Sequence, residues 1–246
     1  MKEKKESPKD LFFVGDIHGE LRTSVWELVE KYKISNANII YCGDFGVGFG
    51  KPEGVKRMYE QVEPRLEKHN LNLWAVRGNH DNPEYFDGFH NFPRLVFLQD
   101  HVPIILGDYI IYPIGGATSV DRKIRKSYNS DEKYYGSSKR YWWPGEMITR
   151  KYTGLPSKVD IVVSHSAPIE FPPYGIYKDN QDPRLYDDCL SEREYLGWIL
   201  NQLRPSRWFH GHFHQSTSGD IIGTLYRGLG INEVFMLPLK SELEDE

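Results

Sequence analysis

Aspartate, histidine and asparagine recur beside glycine or serine at five points of the chain: Gly15-Asp16-Ile17-His18-Gly19, Gly43-Asp44, Gly78-Asn79-His80-Asp81, Ser164-His165 and His210-Gly211-His212-Phe213-His214. Carboxylate, imidazole and amide oxygen together suit divalent first-row ions such as zinc, manganese, iron or nickel. Residues two apart on an extended segment point the same way. Asp16 with His18, and His212 with His214, are therefore expected to converge on one point while Ile17 and Phe213 face the core. The neighbouring glycines allow sharp turns and leave room around an ion. His210 reads as a structural or supporting residue, and His69, His90 and His101 as structural histidines.

Each block needs an element to carry it. The apolar runs at 11–14, 39–42, 73–76 and 159–163 read as buried strands that flow into these motifs. Between the first three, apolar residues at helical spacing predict helices over 20–33 and 53–69, giving a βαβαβ order with ligands beyond the carboxyl ends of parallel strands. From residue 95 the pieces 95–98, 102–106 and 109–114 predict a second, more antiparallel sheet, with a tight turn at Gly107-Asp108. A helix is predicted over 191–203, stopped by Pro205, followed by strand-like pieces at 207–214, 221–226 and 233–239.

A chain of 246 residues, 39% hydrophobic and 27% charged, is long enough for one well-buried domain. The expected organisation is a disordered tail over 1–10, a single domain over 11–240 with a basic, aromatic insertion at 118–157, and an acidic tail over 241–246. A net charge of −4 removes any global pull toward nucleic acid or an anionic membrane. Cys42 and Cys189, far apart, suit neither a disulfide framework nor a thiolate metal site. No apolar run has the length of a signal peptide or a membrane span, so a cytoplasmic location without membrane association is expected.

The five blocks, in this order, resemble the calcineurin-like metallophosphoesterases, whose pattern is Asp-x-His, Gly-Asp, Gly-Asn-His-Asp/Glu, His, Gly-His-x-His. The resemblance implies an α/β fold, a two-sheet β-sandwich flanked by helices (αββα) with the metal site at the strand C-terminal ends. It implies two divalent metal ions (Mn, Fe, Zn or Ni, with Mn favoured), the first bound by Asp16, His18 and His214, the second by Asn79, His165 and His212, and Asp44 bridging them. A shared carboxylate offsets the repulsion between two cations roughly 3.5–4 Å apart. Such a pair activates hydroxide for attack on a phosphate ester, and His80 is expected to protonate the leaving oxygen.

The stretch Gly43 to Gly50 lacks the Gly-Lys-Ser/Thr ending of a nucleotide loop. Protein Ser/Thr phosphatases carry Gly-Asp-x-Val-Asp-Arg-Gly there. Val47 and Gly48 stand in place of the aspartate and arginine, which argues against a phosphoprotein phosphatase and removes the aspartate that orients the catalytic histidine in that branch. Asp81 is the candidate replacement.

Residues 121–152 hold nine Lys or Arg against four Asp or Glu, interleaved with seven aromatics. Cations beside aromatic faces suit a phosphate and a stacked base. Arg122 and Arg125 are expected to face substrate phosphate, Trp142 and Trp143 to contribute to binding, and Arg77 to serve as an oxygen clamp. The segments 115–125 and 142–146 are similar to bacterial and phage members of the same superfamily. The expected substrate is a small phosphomonoester, phosphodiester or nucleotide, with nucleic acid not favoured; the oligomeric state stays open. The competing reading is a nucleotide- or nucleic-acid-binding module that uses 121–152, its metal site being structural.

Overall fold

The computed structural model describes residues 8–49, 52–130, 141–175 and 182–238. Residues 1–7 of the expected first tail, the whole of the expected acidic tail over 241–246, and Tyr134 and Tyr135 of the basic segment lie outside the described residues.

The first sheet has the order β11-β1-β2-β3-β4. It is built from β1 (Asp10–Val14), β2 (Ala37–Tyr41), β3 (Asn72–Ala75) and β4 (Leu95–Phe97) in parallel, with β11 (Val234–Leu237) antiparallel at its edge. The helices α1 (Leu21–Glu30), α2 (Pro52–Glu60) and α3 (Glu63–His69) return the chain between these strands. The helix predicted over 53–69 is therefore broken in two. Pro64 lies in the first turn of α3, where a missing N–H costs nothing and where a continuous helix would lose a bond. α3 stops at Asn70, which takes the left-handed conformation with φ 51°.

The second sheet runs β5 (Ile104–Leu106), β6 (Tyr109–Ile114), β7 (Ile161–Ser164), β8 (Arg207–His210), β10 (Thr224–Gly228) and β9 (Thr217–Ile221). It is less antiparallel than expected. The β6–β7, β7–β8 and β8–β10 pairings are parallel, and only the outer hairpins β5–β6 and β9–β10 are antiparallel. The turn at Gly107-Asp108 closes the first hairpin, with Leu106 opposite Tyr109. The piece expected over 221–226 is instead cut by a two-residue turn at Ile222-Gly223, both at positive φ, which suits the twist of a tight hairpin.

Period-2 alternation distributes the strand residues to two cores. Leu11 and Phe13 of β1 point between the sheets, with Ile40, Ile111, Ile161, Val163 and Phe209. Phe12 and Val14 point the other way, with Ile39, Tyr41 and Leu73, onto α1, α2 and α3. The outer face of the second sheet, including Tyr112, Val162 and Trp208, packs on Tyr195, Leu196, Ile199 and Leu200 of a 21-residue helix, Pro183–Leu203. A fourth helix, α4 (Arg122–Ser130), precedes it in the chain, making the long helix α5. The result is the αββα sandwich. Phe13 and Phe209 stack across its middle at 3.7 Å between ring centroids, and each such buried ring contributes roughly 1.5–3 kcal/mol.

Candidate active site

Asp16, Asp44 and Asn79 follow β1, β2 and β3 of one sheet, whereas His165, His212 and His214 follow β7 and β8 of the other. The sandwich thus brings all five motifs to one end. The two-apart pairs converge by turns rather than along extended segments: His18, Asp44, His212 and His214 all have positive φ, at 46°, 45°, 65° and 53°. Backbone strain of this kind gathers at functional sites because the surrounding fold must hold it. Ile17 packs in the helix-side core, as expected, and Phe213 against the core under α5. Gly43 and Gly211 provide the space: a Cβ at Gly43 would lie 2.1 Å from His165 Nδ1, and one at Gly211 would lie 2.1 Å from Asp16 Oδ1.

Asp16, His18 and His214 form one group whose candidate ligand atoms lie within 4.8 Å of one another; Asp16, Asp44 and His165 form a second, and His18, Asp44 and His80 a third. His214 Nε2 stands 3.0 Å from Asp16 Oδ2 and 3.1 Å from His18 Nε2. His165 donates from Nδ1 to the Cys42 carbonyl at 2.9 Å, which turns Nε2 toward Asn79 Oδ1 at 2.9 Å and Asp44 Oδ1 at 3.2 Å. His212 joins none of these groups among the described residues. Its ring lies against His165 at 4.9 Å, and its backbone N–H donates to Asp16.

The residues fit a pair of divalent ions. Asp16 and Asp44 are 0% and 2% exposed, and the ion-pair partners given to them among the described residues are histidines. Two buried carboxylates without a lysine or arginine form a pocket that attracts positive charge. The imidazoles respond to it. Burial pulls the His165 imidazole down, but Asp44 and Asp16 outweigh it and raise it to about 10. The Asp16 hydrogen bond likewise raises His214. Burial pushes Asp44 upward, yet the facing His165 and His80 hold it well below the usual carboxylate range. His210, by contrast, is pushed down to about 4 by burial, and its Nε2 has no hydrogen-bond partner among the described residues.

His80 borders this cluster, beside His18 and Asp44. Its backbone N–H donates to Asp44 Oδ1 at 2.8 Å, its ring meets His18 edge-on at 5.2 Å, and Phe49 stacks over it at 6.3 Å. Asp81 does not orient it. Both Asp81 oxygens are taken by four backbone amides, those of Phe45, Gly46, Val47 and Gly78. Contrary to the expected catalytic role, this carboxylate shapes the loop after Asp44.

The expected substrate contacts are also corrected. Arg77 is 2% exposed, and its three nitrogens are spent on Asp100 and on the carbonyls of Gly115, Gly145, Glu146 and Met147. Arg122 ties α4 to the start of α5 through Asp182, at 2.6 Å, and Asp188. Arg125 turns inward to Ser119, the Asn79 carbonyl and the Tyr141 carbonyl. Trp143 is 3% exposed and packs on Phe49, and Trp142 lies under Lys126 at 4.1 Å. A basic segment reads as solvated or substrate-facing because charge is rarely buried unless paired. The partners of Arg122, Asp182 and Asp188, lie far along the chain, whereas Arg125 meets Tyr141 and Glu146 within the segment itself, and composition alone pairs neither arginine. Phe49, Ser119 and Glu146 are not among the expected site residues either; Phe49 stands in the glycine-rich stretch after Asp44 and the other two in the segments 115–125 and 142–146.

Among solved structures the chain is similar to a phosphopantetheinyl hydrolase from Mycobacterium tuberculosis, at 12% identity and TM-score 0.47, covering 94% of this chain and 96% of that one. It is also similar to a dimetal phosphatase from Danio rerio, at 12% identity, TM-score 0.44 and 93% and 89% coverage. A predicted phosphoesterase from Streptococcus pneumoniae matches at 12% identity, TM-score 0.37 and 91% and 72% coverage. No curated protein sequence matches the chain. No helix among the described residues is long and apolar enough to cross a membrane. Residues 10–216, most of the chain, match the calcineurin-like phosphoesterase family model, and they contain all five motifs. The chain belongs to the calcineurin-like phosphoesterase family and is a metallophosphoesterase.

Proposed function

We propose that the protein hydrolyses a small phosphate ester, a monoester, diester or nucleotide, using two divalent ions of which manganese is favoured. Asp16, His18 and His214 would hold one ion, Asn79, His165 and His212 the other, and Asp44 both. The observation that carries this reading is the convergence of Asp16, His18, Asp44, His165 and His214 into groups whose ligand atoms lie within 4.8 Å of one another, with imidazoles and, among the described residues, no lysine or arginine paired to the two carboxylates. Such ions supply charge neutralisation at the phosphoryl oxygens and a nucleophile at neutral pH when bound.

The chain's own residues supply the remainder. The Asp44 carboxylate fixes the turn that carries His80 through the His80 backbone amide. An imidazole nitrogen of His80 would deliver a proton to the departing alkoxide. Phe49, over the His80 ring, packs edge-on against Trp143 at 5.0 Å on this side. A cavity of about 950 Å³ begins at Gly48 and Asn82, next to the Asp44 and His80 turns, and is lined further by Tyr85, Phe92 and Trp143. Its size suits the organic part of a small substrate. The pairing of Arg122 and Arg125 within the protein favours this reading over a nucleic-acid-binding module.

The test is hydrolysis of matched aryl and alkyl phosphate esters with added manganese, before and after chelation. Chelation is expected to abolish turnover and manganese to restore it. His80→Ala is expected to lower turnover by about 10²–10⁴-fold, most for alkyl esters, with ion binding unchanged. Turnover that survives complete removal of ions refutes the two-ion reading; wild-type alkyl ester turnover in His80→Ala refutes the acid assignment.

A further inference from the structure

Three buried residues, Ser119, Arg125 and Glu146, meet behind the buried Asn79. Asn79, Ser119, Arg125 and Glu146 are 3%, 1%, 5% and 1% exposed. Ser119 Oγ stands at their junction. It donates to Glu146 Oε2 at 2.7 Å, accepts from Asn79 Nδ2 at 2.9 Å, and accepts from the Arg125 guanidinium. The Ser119 backbone N–H donates to the other Glu146 oxygen at 3.2 Å. Arg125 closes the ring, reaching the Asn79 carbonyl at 3.0 Å and Glu146 Oε2 at 3.5 Å.

The donor arithmetic fixes the Asn79 amide. A hydroxyl carries one hydrogen, and a carboxylate only accepts. With that hydrogen given to Glu146, Ser119 offers Asn79 lone pairs alone, and the amide must turn its NH₂ toward Ser119. Its oxygen then faces the opposite way, 2.9 Å from His165 Nε2. Were the hydroxyl free to donate, the amide could flip and present N–H groups to the ion site, where they would repel a cation. Burial raises the Glu146 carboxyl above its ordinary value, and its hydrogen bonds from Ser119 and Trp142 together with the Arg125 guanidinium oppose that rise, so the partners around Glu146 favour a carboxylate that accepts the Ser119 hydrogen.

We propose that Ser119, held by Glu146 and Arg125, is a positioning residue that keeps the amide oxygen of Asn79 turned toward the ion shared with His165. The inference rests on the two-ion reading above. It also explains why the basic segment turns inward, since Arg125 and Glu146 serve the site from behind a ligand and do not meet the substrate.

The test is calorimetric titration of metal-free protein with manganese. Wild-type protein is expected to take up two equivalents. Ser119→Ala, and the near-isosteric Ser119→Cys, are expected to weaken one equivalent by about 10–100-fold and leave the other unchanged. Ser119→Thr, which retains the hydroxyl, restores that affinity. In an Asn79→Asp background no amide remains to be oriented, so adding Ser119→Ala has little further effect. Wild-type affinity for both ions in Ser119→Ala and Ser119→Cys overturns the proposal alone. So does an equal loss at both ions that accompanies a lowered melting temperature of the metal-free protein and is not rescued by threonine, or a full Ser119→Ala effect in the Asn79→Asp background. Wild-type protein that binds no ion overturns the two-ion reading and this inference with it.

Discussion

Asp81 and Asp44 are both buried aspartates at strand ends, yet they act differently because of what surrounds them. Asp44 meets imidazole nitrogens, and Asp81 meets four backbone amides. A carboxylate spent on amides holds backbone, and its removal strands several buried donors at about 1–3 kcal/mol each, less whatever water recovers. Asp81→Ala is therefore expected to destabilise the metal-free protein by about 3–5 kcal/mol in urea denaturation, and Asp81→Asn by less, since one acceptor oxygen remains. A loss under about 1 kcal/mol for the alanine variant contradicts this account. Nothing in the residue type separates the two aspartates. Their difference lies in which loop closes over each, and position after a strand reveals only that a polar group is wanted there.

At the level of elements, β1, β2 and β3 and their helices are legible because each of these strands buries a continuous apolar run bounded by a motif, and the break between α2 and α3 is legible in Pro64; β4, expected in the second sheet, carries no motif and instead pairs parallel to β3. The direction of the second sheet's strands is not, since period-2 alternation is the same for parallel and antiparallel partners. The long connection from β6 to β7 is the available signal, because parallel neighbours need a crossover. α4 escapes a search for apolar periodicity because its inward side is carried by Arg122 and Arg125. The β9–β10 hairpin escapes it because Ile222, a β-branched residue, occupies a left-handed position with φ 49°. That conformation costs a residue with a branched Cβ about 1–2 kcal/mol. Ile222 is 54% exposed, so little packing is lost on replacing it. Ile222→Asn makes an Asn-Gly turn, and the Asp220 carboxylate still accepts from the Gly223 N–H at 2.9 Å. The expected result is a gain of about 1 kcal/mol in denaturant unfolding; a loss of stability means the turn is not strained.

For the whole molecule, ions that bind only the folded state add stability by mass action, about 2.7 kcal/mol for one site at a hundredfold excess over its dissociation constant. In a domain of 246 residues that raises the melting temperature by roughly 5–10 °C. Manganese added to chelated protein is expected to produce this rise, and magnesium, which suits oxygen ligands better than imidazole, a smaller one. Equal midpoints with and without manganese would count against the site. The aromatic stack of Phe13 on Phe209 lies in the seam between the two sheets, and each sheet carries one part of the candidate ligand set. Ion affinity is thereby a gauge of sandwich alignment. Hydrostatic pressure, or a truncation of either ring, that lets one sheet creep over the other pulls the aspartates away from the histidines and loosens the cations while both sheets are still intact.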